Sequence, residues 1–205
     1  MKSTYNGKIA LGLLIFGLTC IYSCTPKEVA EHKIKITAER ANKNNEFLMS
    51  GSPLKTEDLP VFSGLKYFPI NYSYLVKAQI SIAASPKTII LEQGDTVKQM
   101  LKYGKVTFSL LEKEFSLTVY KPVLDALSDQ EDYLFVPFFD ATNGIETYAG
   151  GRYLYPEMQV DGSLIIDFNS ASNPYCAYNH KYNCVMPPQE NTIDFEIKAG
   201  EKSYH

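Results

Sequence analysis

The sequence predicts a mainly-β domain, a barrel or sandwich of about eight or nine short strands behind one N-terminal α-helix. Three observations carry that prediction. A single stretch with helical periodicity precedes residue 50. From about residue 74 the apolar residues recur with period two. Turn-forming pairs then punctuate the chain at short intervals. The composition is that of a globular chain: 205 residues, 45% hydrophobic and 21% charged, with 15 Tyr, 11 Phe and no Trp. That length suits one domain. A net charge of −3 has the wrong sign for a nucleic-acid binder.

The N-terminus reads as an export signal and is set apart from the fold. Lys2 and Lys8 form a basic head, and residues 9–22 are uncharged and mostly apolar. Fourteen residues are too few for the roughly 20 needed to span a bilayer. Ile21, Ser23 and Cys24 then place an aliphatic and a small residue before a cysteine, as a lipoprotein signal does. Residues 1–23 are therefore expected to be a lipoprotein signal peptide, with Cys24 the lipidation site and residues 24–28 a lipidated tether. Cys20 is the rival site, and an ordinary signal peptide is the plainer reading. Thr25, not Asp, follows Cys24, which favours the outer membrane, facing the periplasm. Cleavage would move the net charge from −3 to −5.

Residues 29–205 form the single predicted β-domain. Residues 29–48 read as a helix with Ile34, Ala38, Ala41, Phe47 and Leu48 along one face. Ser50, Gly51, Ser52 and Pro53 end it. Val76, Ala78, Ile80 and Ile82 alternate within 75–83. Strands are expected at 87–92 and 96–101 around the Gly94-Asp95 turn. Val106, Phe108 and Leu110, then Phe115, Leu117 and Val119, make the clearest hairpin. Residues 133–139 are continuously apolar and predict a central strand. Residues 153–160 and 164–168 flank Asp161-Gly162 as a second hairpin. Residues 193–197 supply a last strand. The acidic stretch 125–132 lacks a calcium-loop spacing and reads as a solvated loop.

Chemistry-bearing residues collect in three places. Residues 140–152 follow the apolar strand and hold Asp140, Thr142, Glu146, Tyr148 and Arg152. Arg152 can grip a carboxylate or phosphate, and Asp140 or Glu146 can serve as a general base if burial raises its pKa. The plainer alternative is an internal Arg–carboxylate pair that fixes a glycine-rich turn. Asp167 and Asn169 end a strand on one face, with Asn173 just beyond. The third place is Cys176, His180 and Cys184. A Cys176–Cys184 disulfide is favoured in an exported protein and would contribute about 2.6 kcal/mol. A metal held by Cys176, His180 and Cys184 would have only three ligands. A Cys176 nucleophile with His180 as base ranks third. His32 and His205, near the termini, are expected to be solvated. No metal site and no cofactor are predicted, because phosphate-loop, dinucleotide, nucleophile-elbow and zinc-protease motifs are all absent.

Several segments together resemble the bacterial family catalogued as domain of unknown function 1684. They are Phe138, Phe139, Asp140, Ala141, Thr142, Asn143 and Gly144; Glu146, Thr147 and Tyr148; Gly151, Arg152, Tyr153 and Leu154; Asp167, Phe168 and Asn169; and Asn173, Pro174, Tyr175 and Cys176. Cys184, Pro187, Pro188 and Asn191 fit too, as do Ala199, Gly200, Glu201 and Lys202. Upstream, Glu39, Arg40, Gly64, Leu65, Lys66, Tyr67, Phe68 and Pro69 match its pattern. The resemblance covers residues 36–202 and implies that the three polar places converge in space. It brings no established activity. Two departures are Ser170, where the family commonly has Arg, and His180, which has no counterpart. Relatives without an export signal keep both cysteines, which a reducing cytosol would leave as thiols.

Three functions follow as expectations. The first is a lipid-anchored module binding a small polar or anionic ligand, with Arg152 as anchor. The second is an enzyme, perhaps a hydrolase, that uses Asp140 or Glu146 as base. The third is a structural envelope protein. The expected partners are the membrane, through Cys24, and a small-molecule ligand.

Overall fold

The computed structural model describes residues 26–93, 96–123 and 133–205. The signal segment, Cys24, the Gly94-Asp95 turn and the acidic stretch 125–132 lie outside the described residues.

One helix, α1 (Pro26–Glu46), opens the fold. It begins three residues earlier than its periodicity predicts and takes in residues 26–28, which were expected to be tether. Its inner face is only partly the predicted one. Phe47 is buried as expected, but Ile34, Ala38, Ala41 and Leu48 are exposed, and His32 and Ile36 are buried instead. His32, Ile36, Arg40, Lys43 and Phe47 share one face at helical spacing. Most of these are polar, so an apolar-stripe reading picks the wrong side. Each polar group has a specific partner. His32 Nε2 lies 2.7 Å from Asp167 Oδ2, and its ring meets Tyr72 edge-on. Arg40 donates to the carbonyls of Phe68 and Asn169. Lys43 reaches Glu201 at 2.8 Å. His32, expected to be solvated, is thus a docking residue.

Eight strands follow among the described residues, in two sheets that do not close into a barrel. The larger sheet has the order β3-β2-β1-β7-β6. It is built from β1 (Leu75–Gln93), β2 (Thr96–Leu110), β3 (Lys113–Pro122), β6 (Glu157–Met158) and β7 (Leu164–Asp167). The smaller has the order β5-β4-β8, from β4 (Val136–Asp140), β5 (Arg152–Leu154) and β8 (Thr192–Ile193). The sequence divides β1 and β2 in two; the structure joins them. β1 runs through Ser85 and Pro86 at an irregularity, its pairing with β2 jumping from Ile82–Gly104 to Lys87–Lys102. A bulge is where a strand tolerates proline.

The β2–β3 hairpin is as predicted, with Phe108 opposite Phe115 and Val106 opposite Leu117. Its turn is the two residues Leu111 and Glu112, both at positive φ. β4 is central in its sheet, as expected for a continuous apolar run, and pairs antiparallel to β5 and parallel to β8. The predicted strand 153–160 is two: β5 joins β4 and β6 joins β7, with Pro156 between them. The last strand is shorter than expected, ending at Ile193. Asn191 ties the sheets together. Its side chain accepts from the Thr118 N–H and donates to the carbonyls of Thr118 and Pro137. The main core gathers Val106, Phe108, Leu117, Val136, Phe138 and Phe168 between the two sheets.

Candidate functional site

The predicted polar residues divide between a structural latch and a cavity. The latch centres on Arg152, which is 0% exposed. Strand β5 places it beside β4, opposite Phe138. One guanidinium nitrogen donates to the carbonyls of Ala199 and Glu201. The other donates to the Ile197 carbonyl and to Asp140 Oδ2 at 3.1 Å. The same Asp140 oxygen accepts from the Ile197 N–H at 2.8 Å, and Thr142 Oγ1 donates to the carboxylate. Burial pushes the Asp140 carboxyl up, while Arg152, the Ile197 N–H and Thr142 pull it back. Burial likewise lowers the Arg152 guanidinium against the pull of Asp140.

Arg152 therefore clamps the C-terminal segment to the smaller sheet. Two glycines make this geometry accessible. Gly151 sits at φ +83°, and a Cβ there would lie 2.8 Å from the Phe138 carbonyl oxygen. Gly200, at φ +77°, would meet the Ala171 and Phe168 carbonyls at 2.6 and 2.7 Å. Glu201 completes the latch: it is buried and accepts from Lys43, Tyr178 and both side-chain and backbone nitrogens of Asn173.

These contacts correct the expectation that Arg152 anchors a ligand. Its two terminal nitrogens are taken up by the Ala199, Glu201 and Ile197 carbonyls and by Asp140. Of the predicted acids, Asp140 is committed to that clamp. Glu146 lies at the surface between Lys198 and Lys202. Slight desolvation raises its carboxyl, but the two lysines more than reverse that and hold it below the usual range. Asp140 has a raised carboxyl but faces the clamp and not the cavity, and the Glu146 carboxyl is lowered, so neither combines the raised pKa and pocket-facing position of a general base at neutral pH. The Asp140–Thr147 turn satisfies itself: Asn143 accepts from the Asp140 N–H and donates to Thr147 and Tyr148.

Asp167 and Asn169 do meet, with Asn169 Nδ2 donating to Asp167 Oδ1 at 2.8 Å. Asn169 is otherwise spent on the backbone of Asn71. Cys176 and Cys184 are adjacent but are free thiols, so the expected bridge is not formed. The Cys176 N–H donates to Cys184 Sγ at 3.0 Å, and Tyr148 OH lies 3.6 Å from Cys176 Sγ. The hydrogen bond from Cys184, helped by Tyr148, pulls the Cys176 thiol down to about 6 against its burial. The Cys184 thiol is pushed up by its bond to Cys176. His180 is exposed. Among the described residues no group of three or more His, Cys, Asp or Glu side chains is placed to hold a metal ion.

The cavity has a volume of about 760 Å³. Asp140, Thr142, Glu146, Tyr148 and Arg152 do not line it; Asn169, Asn173 and Cys184 do. Asp167 instead borders a smaller hollow of about 200 Å³. The large cavity has an aromatic wall of Phe135, Tyr153, Tyr155, Tyr175 and Tyr182. Opposite stand Arg40 and Lys43 of α1, with Tyr67 beneath the Arg40 guanidinium at 4.4 Å. Tyr155 and Tyr175, 54% and 53% exposed, stand at its mouth. Asn173 is only 4% exposed; its Nδ2 donates to Glu201 and to the Lys202 carbonyl. Its Oδ1 finds no hydrogen-bond partner, nor do Arg40 Nε and Tyr67 OH, all buried atoms. Arg40, Lys43 and the tyrosines were not singled out as site residues from the sequence. The density of tyrosines between 153 and 182 was the available signal.

The family described as protein of unknown function (DUF1684) matches residues 60–202. No curated protein matches. The fold is similar to the solution NMR structure of an uncharacterised protein of Haloarcula marismortui. That protein is 30% identical, with a TM-score of 0.69, and the match covers 88% of this chain and 100% of that one.

Proposed function

The chain belongs to the DUF1684 family, and from that premise we propose that it is a binding module for a small polar molecule held in the 760 Å³ cavity. The cavity itself carries the reading. Its volume falls in the range of small-molecule sites, and its walls combine aromatic rings with a few placed polar groups. The anchor moves from Arg152 to the α1 side, where Arg40 lines the cavity and donates to two backbone carbonyls. We further propose export and a lipid on Cys24, which would hold the domain at the outer membrane, facing the periplasm. The support is the basic head, the 14-residue apolar run and Ser23-Cys24. Because α1 begins at Pro26, a lipid on Cys24 would keep the domain close to the membrane surface.

Native mass spectrometry of the purified full chain tests the binding reading. The expected result is a co-purified small molecule, retained by the parent protein and lost in Tyr155→Ala. Protein that carries nothing, and that gains no thermal stability across a broad metabolite screen, would overturn it. Metabolic labelling with an alkyne fatty acid tests the anchor: the label is expected on the parent chain and absent from Cys24→Ala. Equal labelling of the two would refute the Cys24 assignment.

A further inference from the structure

We propose that Cys176 and Cys184 form a redox-active dithiol, which hydrogen peroxide oxidises to a disulfide and a reducing thiol reopens. The pair is held together before any bond is made. The Cys176 N–H donates to Cys184 Sγ at 3.0 Å, and the two thiols hydrogen-bond to each other. The loop between them folds on itself. The Asn179 N–H donates to the Tyr175 carbonyl, the Tyr182 N–H to the Asn179 carbonyl, and the Lys181 N–H to Asn179 Oδ1. The Tyr175 and Tyr182 rings, 5.4 Å apart, meet across the loop. A bridge therefore needs the sulfurs to close up, not the loop to refold.

The groups around the sulfurs favour a thiolate on Cys176, the form of cysteine that reacts. Its Sγ accepts from the Cys184 thiol, and the Tyr148 hydroxyl donates to it at 3.6 Å. Burial and the neighbouring thiols push the Tyr148 hydroxyl up, so it stays protonated and remains a donor. Access selects the oxidant. Cys184 lines the cavity, whereas Cys176 is only 6% exposed. So little exposed surface suits a peroxide hardly larger than water better than a bulky disulfide. A metal ion fits less well. Among the described residues no group of three His, Cys, Asp or Glu gathers there, so its coordination would stay incomplete.

The chemistry balances without a cofactor. The Cys176 thiolate attacks one peroxide oxygen: an S–O bond forms, the O–O bond breaks, and hydroxide leaves and takes up a proton. The Cys184 thiol then gives up its proton and attacks the Cys176 sulfur. The S–S bond forms and the second oxygen leaves as water. The two thiols together lose two electrons and two protons, and one peroxide becomes two waters. Tyr175, Tyr182, Asn183 and Cys184 all line the cavity, so the bridge constrains a stretch of its wall.

Peptide mapping of the purified full chain tests the proposal. The protein is reduced, freed of reductant and treated with a slight excess of hydrogen peroxide. Trypsin cuts after Lys181, between the two cysteines, so a bridge joins residues 153–181 to residues 182–198. That linked pair is expected, in protein that runs as a monomer without reductant, and dithiothreitol is expected to separate it. In Cys184→Ser the Cys176 sulfur should stop at the sulfenic acid, which dimedone traps. In Cys176→Ser the reaction with peroxide should slow by roughly tenfold or more. Circular dichroism verifies that both variants fold, and mapping of the parent chain needs no variant. Unlinked peptides after peroxide, whether as thiols or as sulfonic acids, overturn the proposal. Bridges between chains, or to Cys20 or Cys24, in place of the linked pair also overturn it. A bridge that dithiothreitol does not open makes the pair a fixed structural disulfide and overturns it too. Equal peroxide rates in the parent and Cys176→Ser overturn Cys176 as the attacking sulfur.

Discussion

Removing Arg152 is the sharpest test of the latch. In Arg152→Ala the carbonyls of Ile197, Ala199 and Glu201 lose their donors, and Asp140 stays buried without its counter-charge. Stripping one partner from a buried ion pair costs about 3–5 kcal/mol. A domain of this size has about 5–15 kcal/mol in total, so the loss is about a fifth of its stability or more. Urea unfolding followed by far-ultraviolet circular dichroism reads this as a fall in midpoint at constant slope. The double variant Asp140→Asn, Arg152→Met is expected to recover part of the loss, since no charge is left buried. It does not recover all, because the three carbonyls remain without donors. The pH dependence has a defined sign. Burial already places the folded Asp140 carboxyl above its unfolded value, and losing Arg152 raises it further. A raised acid destabilises the fold as pH climbs through its folded pKa. The gap between parent and Arg152→Ala is therefore expected to narrow as pH falls from 7 toward about 5. An Arg152→Ala protein within about 1 kcal/mol of the parent, yet unable to bind ligand, would refute the latch and restore Arg152 as an anchor.

Other outcomes follow from single contacts. His32→Ala removes the buried bond to Asp167 and is expected to cost about 1–3 kcal/mol in the same unfolding assay. Gly151→Ala forces a Cβ into the Phe138 carbonyl and Pro187 at positive φ; about 1–3 kcal/mol should be lost, read as a lower melting temperature. Iodoacetamide should label Cys176 with a rate that levels off above about pH 7, since its thiol is pulled down to about 6. Tyr148→Phe removes a hydrogen bond to that sulfur and should move the profile upward. Glu146→Gln should leave both the unfolding midpoint and ligand binding unchanged, because its carboxylate meets only surface lysines.

How much was legible depends on whether a residue's role was local. The β2–β3 hairpin could be read because alternation fixes both its register and its inner face. The helix could be read, but not its face. His32, Arg40 and Lys43 dock it through partners 28 to 158 positions away, which periodicity does not register. Pro86 and Pro156 look alike in sequence. One sits inside a strand at a bulge, and the other separates two strands that join different sheets. The Asp140–Arg152 pair was visible as a possible internal ion pair. Its purpose was not, because the backbone it holds lies some 45 residues onward, at Ile197–Glu201. The cavity was missed for the same reason: its wall is assembled from α1, the 169–175 turn and the 182–185 segment.

The latch and the cavity are not independent. Asn173 belongs to both: its amide nitrogen holds Glu201, and the residue lines the cavity. Lys43 also belongs to both, because it lines the cavity and reaches Glu201 from α1. Arg40, on the same helix face, borders the cavity and grips the Phe68 and Asn169 carbonyls. Docking of α1, closure of the C-terminal segment and formation of the cavity wall therefore draw on the same few side chains. On the proposed reading, a molecule that fills the cavity binds only the docked arrangement and must stabilise it by mass action. Arg152 and Asp140 do not line the cavity, yet they hold the C-terminal segment whose Glu201 meets two of its wall residues, Lys43 and Asn173.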